Sequence, residues 1–222
     1  MIFNFFIIIL ILLIGKLFHV GSSSKINSAK NKKSYVKLIC LILIFQSGLR
    51  NVAVGDDTYA YFMHFESVKN ISWNNIFNSL IQYYKFGIGK DPLYSFFIKS
   101  FQIFSGEFQL FLFLVASIFF VSLGNFIYKN SNQLIDIIIA FFIYSVLFYT
   151  FYSITGIRQT LATSILLFSF EFLKKNKILY FFLLVVLASS FHISAIFFML
   201  LYLVRPINNF RPLFIVSSFI FP

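Results

Sequence analysis

The chain is poor in charge. Only 11% of its 222 residues are Asp, Glu, Lys or Arg, against roughly a quarter in a soluble domain. It has one cysteine, Cys40, so an intrachain disulfide is excluded, and the apolar run around it points to an inert buried thiol. No second histidine stands four residues from any other, and no cysteine–histidine spacing suits zinc or iron–sulfur ligation, so no metal and no cofactor are expected. No Lys or Arg precedes the first apolar run and no small-residue cleavage pattern follows it, which argues against a cleaved signal peptide. No internal repeat is visible.

What is abundant is apolar and aromatic. Hydrophobic residues make up 59% of the chain and aromatics 22%, with 35 phenylalanines. A soluble protein of this length could not bury that much. The sequence therefore predicts an all-α, polytopic helical integral membrane protein with interfacial or re-entrant helices, forming a single membrane domain over 1–222. The formal net charge of +11 reads as lysines between spans, which orient helices and meet anionic headgroups. No basic face of a soluble domain is visible, so no nucleic-acid partner is expected.

A span needs about 20 apolar residues. The first covers Ile2 to Val20. A polar linker, Gly21 to Ser34, follows it with Lys25, Lys30, Lys32 and Lys33, so the N-terminus is predicted outside. Span two runs from Tyr35 to Leu49. The segment 50–91 mixes charged residues with Tyr59, Tyr61, Trp73, Tyr83 and Tyr84, which suits short helices at the outer interface. Residues 92–104 are too short to cross and read as a re-entrant or interfacial helix begun by Asp91-Pro92. Further spans cover Phe108 to Tyr128, Leu134 to Tyr152 and Ile157 to Leu173, with a short outer turn at Ser153 to Gly156. Lys129, Lys174, Lys175 and Lys177 belong inside. The run Ile178 to Val204 either tilts or breaks near Ser189-Ser190, and Arg205 and Arg211 after it oppose the positive-inside tendency. Six to seven spans result. The sequence stops at Pro222 within a new apolar run, so a C-terminally short protein is expected.

Polar residues in so apolar a chain are first suspects for a site, since a charge at mid-membrane costs about 2.5–3.5 kcal/mol even on insertion scales. Arg50 either caps the end of span two at the headgroups or grips a phosphate with paired hydrogen bonds. Asp56 and Asp57 either cap the helix starting near Thr58 or accept hydrogen bonds and protons from sugar hydroxyls. As neighbours on a helix they do not point the same way. Arg158 lies at the start of span five after Thr155-Gly156. There the guanidinium and the free helix-start amides suit an anion such as a pyrophosphate, and Gln159 adds a neutral bond. The alternative for Arg158 is snorkelling to lipid phosphates. His192, among Ser189, Ser190 and Ser194, is either a packed core imidazole or a proton-transfer group.

Four stretches of this chain resemble the EpsG family of membrane polysaccharide polymerases, related to Wzy-type polymerases. GLRNVAVGDDTYAY aligns Arg50, Gly55, Asp57 and Tyr61 with its arginine, glycine–any–aspartate and tyrosine signature. KDPLYSFF aligns Asp91 and Tyr94 with its acidic–proline–aromatic motif. TGIRQTLATSILLFS aligns Arg158 and Gln159 with its arginine–glutamine helix start. ASSFHISAIFF aligns His192, Ser194 and Ala195 with its phenylalanine–histidine–small motif. The match spans Arg50 to Phe198, and the resemblance implies further spans after it, in keeping with the expectation of a C-terminally short protein.

The resemblance implies a metal-independent glycosyltransferase in the cytoplasmic membrane. It would join oligosaccharide repeat units, carried on polyprenyl pyrophosphate, into capsular polysaccharide, exopolysaccharide or O-antigen at the outer face. Asp57, His192 and Arg158 would be catalytic. Arg50, Arg158, Gln159, Asp56, Tyr61 and Asp91 would bind pyrophosphate or sugar. Membrane lipids and other polysaccharide-assembly proteins would be the remaining partners. Two other functions fit the same residues: a flippase for lipid-linked sugar, and a truncated, non-catalytic accessory protein.

Overall fold

A computed structural model describes residues 2–20, 25–55 and 57–204. Asp56, Arg205 and Arg211 lie outside the described residues. Those described are helical, with no strand among them. The helices are α1 (Ile2–Val20), α2 (Lys25–Gly48), α3 (Thr58–Lys69), α4 (Trp73–Phe86), α5 (Pro92–Phe101), α6 (Phe108–Asn130), α7 (Leu134–Ile143), α8 (Ile157–Lys174), α9 (Ile178–Ser189) and α10 (Leu201–Val204). Two π-helical segments, Tyr144–Phe148 and Thr150–Thr155, extend α7, and a 3-10 helix, Ile193–Leu200, precedes α10.

The long apolar helix α6 divides the packing into two cores. One face meets α1, α2 and α7 through Ile11, Tyr35, Ile39, Leu43, Phe120 and Phe141. The other meets α3, α5, α8 and α9 through Phe65, Tyr94, Phe111, Leu112, Phe181 and Ala188. Gly124 of α6 lets α2 approach closely, since a Cβ there would run into Cys40 Sγ. By length and hydropathy α6 is the one helix among the described residues able to cross a membrane by itself; Asn4–Val20, Leu134–Phe148, Ile178–Ser189 and Ile193–Leu203 are apolar but shorter.

Three boundaries differ from the sequence reading. The supposed polar linker is helical from Lys25 onward. Its polar side chains find carbonyls: Lys32 Nζ donates to Ser131 O at 3.0 Å and Asn132 O at 2.9 Å, and Asn31 Nδ2 to Phe18 O at 3.1 Å. The turn expected at Ser153 to Gly156 is instead wide helix through Thr155 with the reversal at Gly156 alone. The run after Ile178 breaks rather than tilts. Ser189 and Ser190 return their hydroxyls to Val186 O at 2.8 and 3.1 Å, and the chain is extended at His192 before the 3-10 turn begins. Hydroxyls bonding back to the preceding turn bend or end a helix, which explains the break.

The short helices after Gly48 are tied to the bundle through their ends. Ser72 caps α4 by accepting from Asn75 N at 3.3 Å, and Gly87 closes it in the left-handed conformation. Lys99 of α5 donates to Val68 O and Lys69 O at 3.2 and 3.0 Å, covering the C-terminal carbonyls of α3 where a cation is favoured. Gln102 Nε2 reaches Phe65 O at 2.7 Å. These ties put α3 and α5 side by side over the start of α8.

Candidate functional site

The corner between α7 and α8 is where the site begins. A π-helical stretch spoils the regular i to i−4 ladder and frees carbonyls, which must find other donors when buried. Side chains supply them here. Thr160 Oγ1 donates to Tyr152 O at 2.5 Å, Thr155 Oγ1 to Thr150 O at 3.1 Å, Ser47 Oγ to Ser153 O at 2.7 Å, and Thr58 Oγ1 to Ile154 O at 3.1 Å. Arg50 joins them: its Nη1 donates to Ser153 O at 2.9 Å, Ser47 O at 3.0 Å and Ser47 Oγ at 3.1 Å. Burial pulls the Arg50 guanidinium down to about 10. The sequence reading offered Arg50 as a headgroup cap or a phosphate grip. Nη1 does cap the end of α2, at Ser47 O, and reaches across to the widened corner at Ser153 O as well.

Arg158, five residues past Ser153, opens the first turn of α8. Its Nη1 donates to Asp91 Oδ2 at 2.5 Å. Its Nε lies 3.4 Å from the Tyr61 hydroxyl, and its guanidinium sits 5.6 Å from the centre of the Tyr61 ring, a cation–π arrangement. The Arg158 side chain keeps 34% of its surface exposed, whereas Asp91 is nearly buried. Asp91 adopts the left-handed backbone conformation, φ 45°, at the start of α5 and does not cap its own helix. That conformation is uncommon for a side chain with a Cβ. Here it accompanies a carboxylate turned to Arg158 instead of to the amides of α5.

His192 completes the group from the break after α9. Its Nδ1 is 3.9 Å from the same Asp91 Oδ2, and its Nε2 is 3.2 Å from Gln159 Nε2. His192 Nδ1 is buried and makes no hydrogen bond. Gln159 folds back because position 156 is glycine: a Cβ there would collide with Gln159 Oε1. α5, α8 and the α9 break thus place Asp91, Arg158, Gln159 and His192 together, with Tyr61 of α3 as one wall.

Of the remaining sequence candidates, Asp57 stands exposed at the head of α3, one turn before Tyr61, and its side chain makes no cap bond. The capping alternative for Asp57 is thereby removed. Three neighbours had been given no role. His64 stacks on Tyr94 at 5.7 Å and an 18° interplanar angle, and its Nε2 is 3.1 Å from Ser95 Oγ. Burial, and secondarily Arg158, hold the His64 imidazole below its ordinary value. Tyr94 packs edge-on against Tyr61 at 5.8 Å, and its hydroxyl is buried without a partner. Burial pushes that phenol well above its ordinary range, opposed by the nearby positive charge of Arg158 and Arg50. A helical spacing signals both: His64 follows Tyr61 by three positions and Tyr94 follows Asp91 by three. Gly156 is the third. Among the described residues no three His, Cys, Asp or Glu side chains are grouped to hold a metal.

Fold and site together define a helical protein with a charge-paired cluster at one end of a largely apolar bundle. The chain belongs to the EpsG family: the family's sequence model matches residues 33–222. That membership makes it membrane-associated and points to a role in polysaccharide biosynthesis. No curated protein and no solved structure matches it.

Proposed function

We propose that this protein polymerises oligosaccharide repeat units carried on polyprenyl pyrophosphate, at the outer face of the cytoplasmic membrane. The observation that carries the reading is the meeting of Arg158, Asp91, Gln159 and His192, drawn from three separate elements onto one partly exposed point. Arg158 is the group that neutralises the departing pyrophosphate. Tyr61 holds its plane, and Asp57, a turn away at the exposed rim, orients sugar hydroxyls. His192 handles the proton. Arg50 fixes the corner from which Arg158 projects and adds positive charge near Tyr94.

A multi-pass arrangement fits the surface. Apolar side chains face outward along the shorter helices, including Leu17 (73% exposed), Leu147 (62%) and Leu183 (57%). Lys32, Lys129 and Lys174 mark the end of the bundle opposite the site, where Lys32 meets Ser131 O and Lys174 meets Asn130 Oδ1 at 2.7 Å. Lysine-rich ends tend to stay inside, which supports the reading with the N-terminus of α1 and the cluster outside.

In the reaction the acceptor sugar's hydroxyl oxygen bonds to the anomeric carbon of the donor, and the bond from that carbon to the pyrophosphate oxygen breaks. The electron pair leaves with the lipid pyrophosphate. Stabilising that developing charge is the largest contribution expected, worth about 100–1000-fold for one well-placed donor. Replacing Arg158 with Ala should abolish polymer while single lipid-linked repeats accumulate, as read by glycan length and extracted lipid intermediates. Polymer of normal length from that variant would overturn the proposal.

A further inference from the structure

Asp91 Oδ2 faces two partners and bonds to one of them. It is bonded to Arg158 Nη1 at 2.5 Å and stands 3.9 Å from His192 Nδ1, beyond hydrogen-bond distance. His192 Nδ1 is buried with no acceptor. A buried nitrogen without a partner is unfavourable, and a shift of about 1 Å by the carboxylate would give it one. With Gln159 Nε2 donating to His192 Nε2 at 3.2 Å, the proton of the neutral ring sits on Nδ1, aimed at Asp91. Asp91 lies just past Gly89, in a left-handed conformation, and its carboxylate is not engaged in capping α5.

We infer that Asp91 is a carboxylate switch: an anion arriving at Arg158 displaces it onto His192 Nδ1, and His192 Nε2 thereby becomes the base for the acceptor hydroxyl. This rests on the polymerase reading. Asp91 holds only Nη1 of a guanidinium with five N–H donors; a diphosphate taking the others shares the cation's charge, weakens the Asp91 pair and, as a like charge, repels the carboxylate toward His192. The displaced carboxylate leaves a cation that has gained a stronger anion and reaches an imidazole that lacks an acceptor. A carboxylate on Nδ1–H raises the basicity of the other ring nitrogen. The acceptor hydroxyl then replaces Gln159 at Nε2. Its proton passes to Nε2 as its oxygen bonds to the anomeric carbon and the diphosphate departs on Arg158. The imidazolium returns that proton to solvent, and Asp91 goes back to Arg158 when the lipid diphosphate leaves. Asp91 is a positioning residue in this scheme. Donor binding and base activation become one event, so the acceptor is not activated before a donor is present.

The charged and titratable groups facing His192 are Asp91 and Arg158. Gln159 lies on Nε2, and Tyr84 of α4 meets the neighbouring Ser190 hydroxyl. The test is NMR titration of His192 in the full-length detergent-solubilised chain, with the resonance assigned by His192→Gln, in the presence and absence of inorganic pyrophosphate. Wild type should show a rise in His192 proton affinity of about tenfold or more on adding pyrophosphate, the size expected when a carboxylate closes on an imidazole. Asp91→Asn should lose most of that rise while still binding pyrophosphate. An equal rise in Asp91→Asn would overturn the switch, because the ligand's own charge would then explain it. Arg158-dependent binding with no change at His192 in wild type would also overturn the switch while leaving the polymerase reading intact. Absence of any Arg158-dependent binding would sink the polymerase reading and the switch with it. Should Asp91→Asn fail to accumulate, Asp91→Glu keeps a carboxylate within reach of both partners and must retain the response; its loss there would count against the switch equally.

Discussion

Arg50 and Arg158 are close in space and opposite in circumstance. Arg50 follows the C-terminal end of α2 and lies against the widened end of α7, so carbonyl oxygens surround it and three acceptors hold its Nη1. Arg158 lies at the N-terminal end of α8, where a helix presents amides and partial positive charge. Its polar partners there are the Asp91 carboxylate and the Tyr61 hydroxyl. It takes a carboxylate from another element and keeps a third of its surface open. The difference teaches a rule about apolar bundles: an arginine beside a helix C-terminus is consumed by the backbone, whereas one at an N-terminus is left for a counter-ion or a ligand.

The largest effects should separate the two. In membranes, Arg158→Ala should lose polymerisation by about 100–1000-fold and lose lipid diphosphate binding as well. Arg158→Lys should recover little, because an ammonium cannot reproduce the planar fork. Arg50→Ala should act on folding. It strips a charged donor from Ser153 O and Ser47 O, a loss of about 2 kcal/mol, seen as a lowered thermal midpoint in detergent. The protein that remains folded should bind lipid diphosphate as wild type does. Binding lost as completely in Arg50→Ala as in Arg158→Ala, at unchanged stability, would erase the distinction.

A smaller effect tests the Arg158 side alone. Gly156→Ala places a Cβ against Gln159 Oε1 and should pull Gln159 from His192. In the resting site that bond fixes the His192 tautomer with its proton on Nδ1; losing about 1.4 kcal/mol lowers the share of that tautomer by up to tenfold, so polymerisation should fall by at most that order with the thermal midpoint little moved. Gln159→Ala should match it, and the double variant should be no worse than either single one. Additive losses would show that Gly156 serves the fold of the corner and not the placement of Gln159.

The sequence made candidate residues legible because charge is so scarce. Arg50, Asp57, Arg158 and His192 stand out among apolar neighbours, and their types suggest anion binding and proton transfer; Asp91 reads there as a helix start and became a candidate only through the family resemblance. Helical spans were equally plain wherever hydrophobicity was continuous. Three things were hidden. The helical start of α2 is polar, and its lysines and asparagine are satisfied by carbonyls distant in sequence, such as Ser131 O and Phe18 O. The π-helical widening of α7 has no periodicity signal, so the use of Arg50 there could not be foreseen. His64 looks like an ordinary ring residue, and Tyr94, although part of the family motif, shows no partner, until α3 and α5 are set side by side. What fails in each case is the same kind of knowledge: which backbone or ring a polar group will meet across the bundle.

The weakest effect concerns pH and falls on the cluster's inner wall. His64 is buried against Tyr94 and near Arg158, and both burial and that charge hold it below its ordinary value near 6.5. The unfolded chain therefore binds a proton at His64 before the folded chain does. Stability attributable to His64 is intact above about pH 6.5 and declines as pH falls through that value. The decline stops below the folded value, where both forms are protonated. Among the described residues the Arg50 corner carries no histidine, so the acid sensitivity should belong to the cluster side, with His64 on the α3–α5 wall and His192 at the α9 break. His64→Gln should remove its share: the gap between thermal midpoints at pH 7.5 and 5.5 should narrow relative to wild type. An unchanged gap would mean that other groups set the acid response and that His64 already exchanges protons freely with water, which its stacking on Tyr94 and its bond to Ser95 argue against.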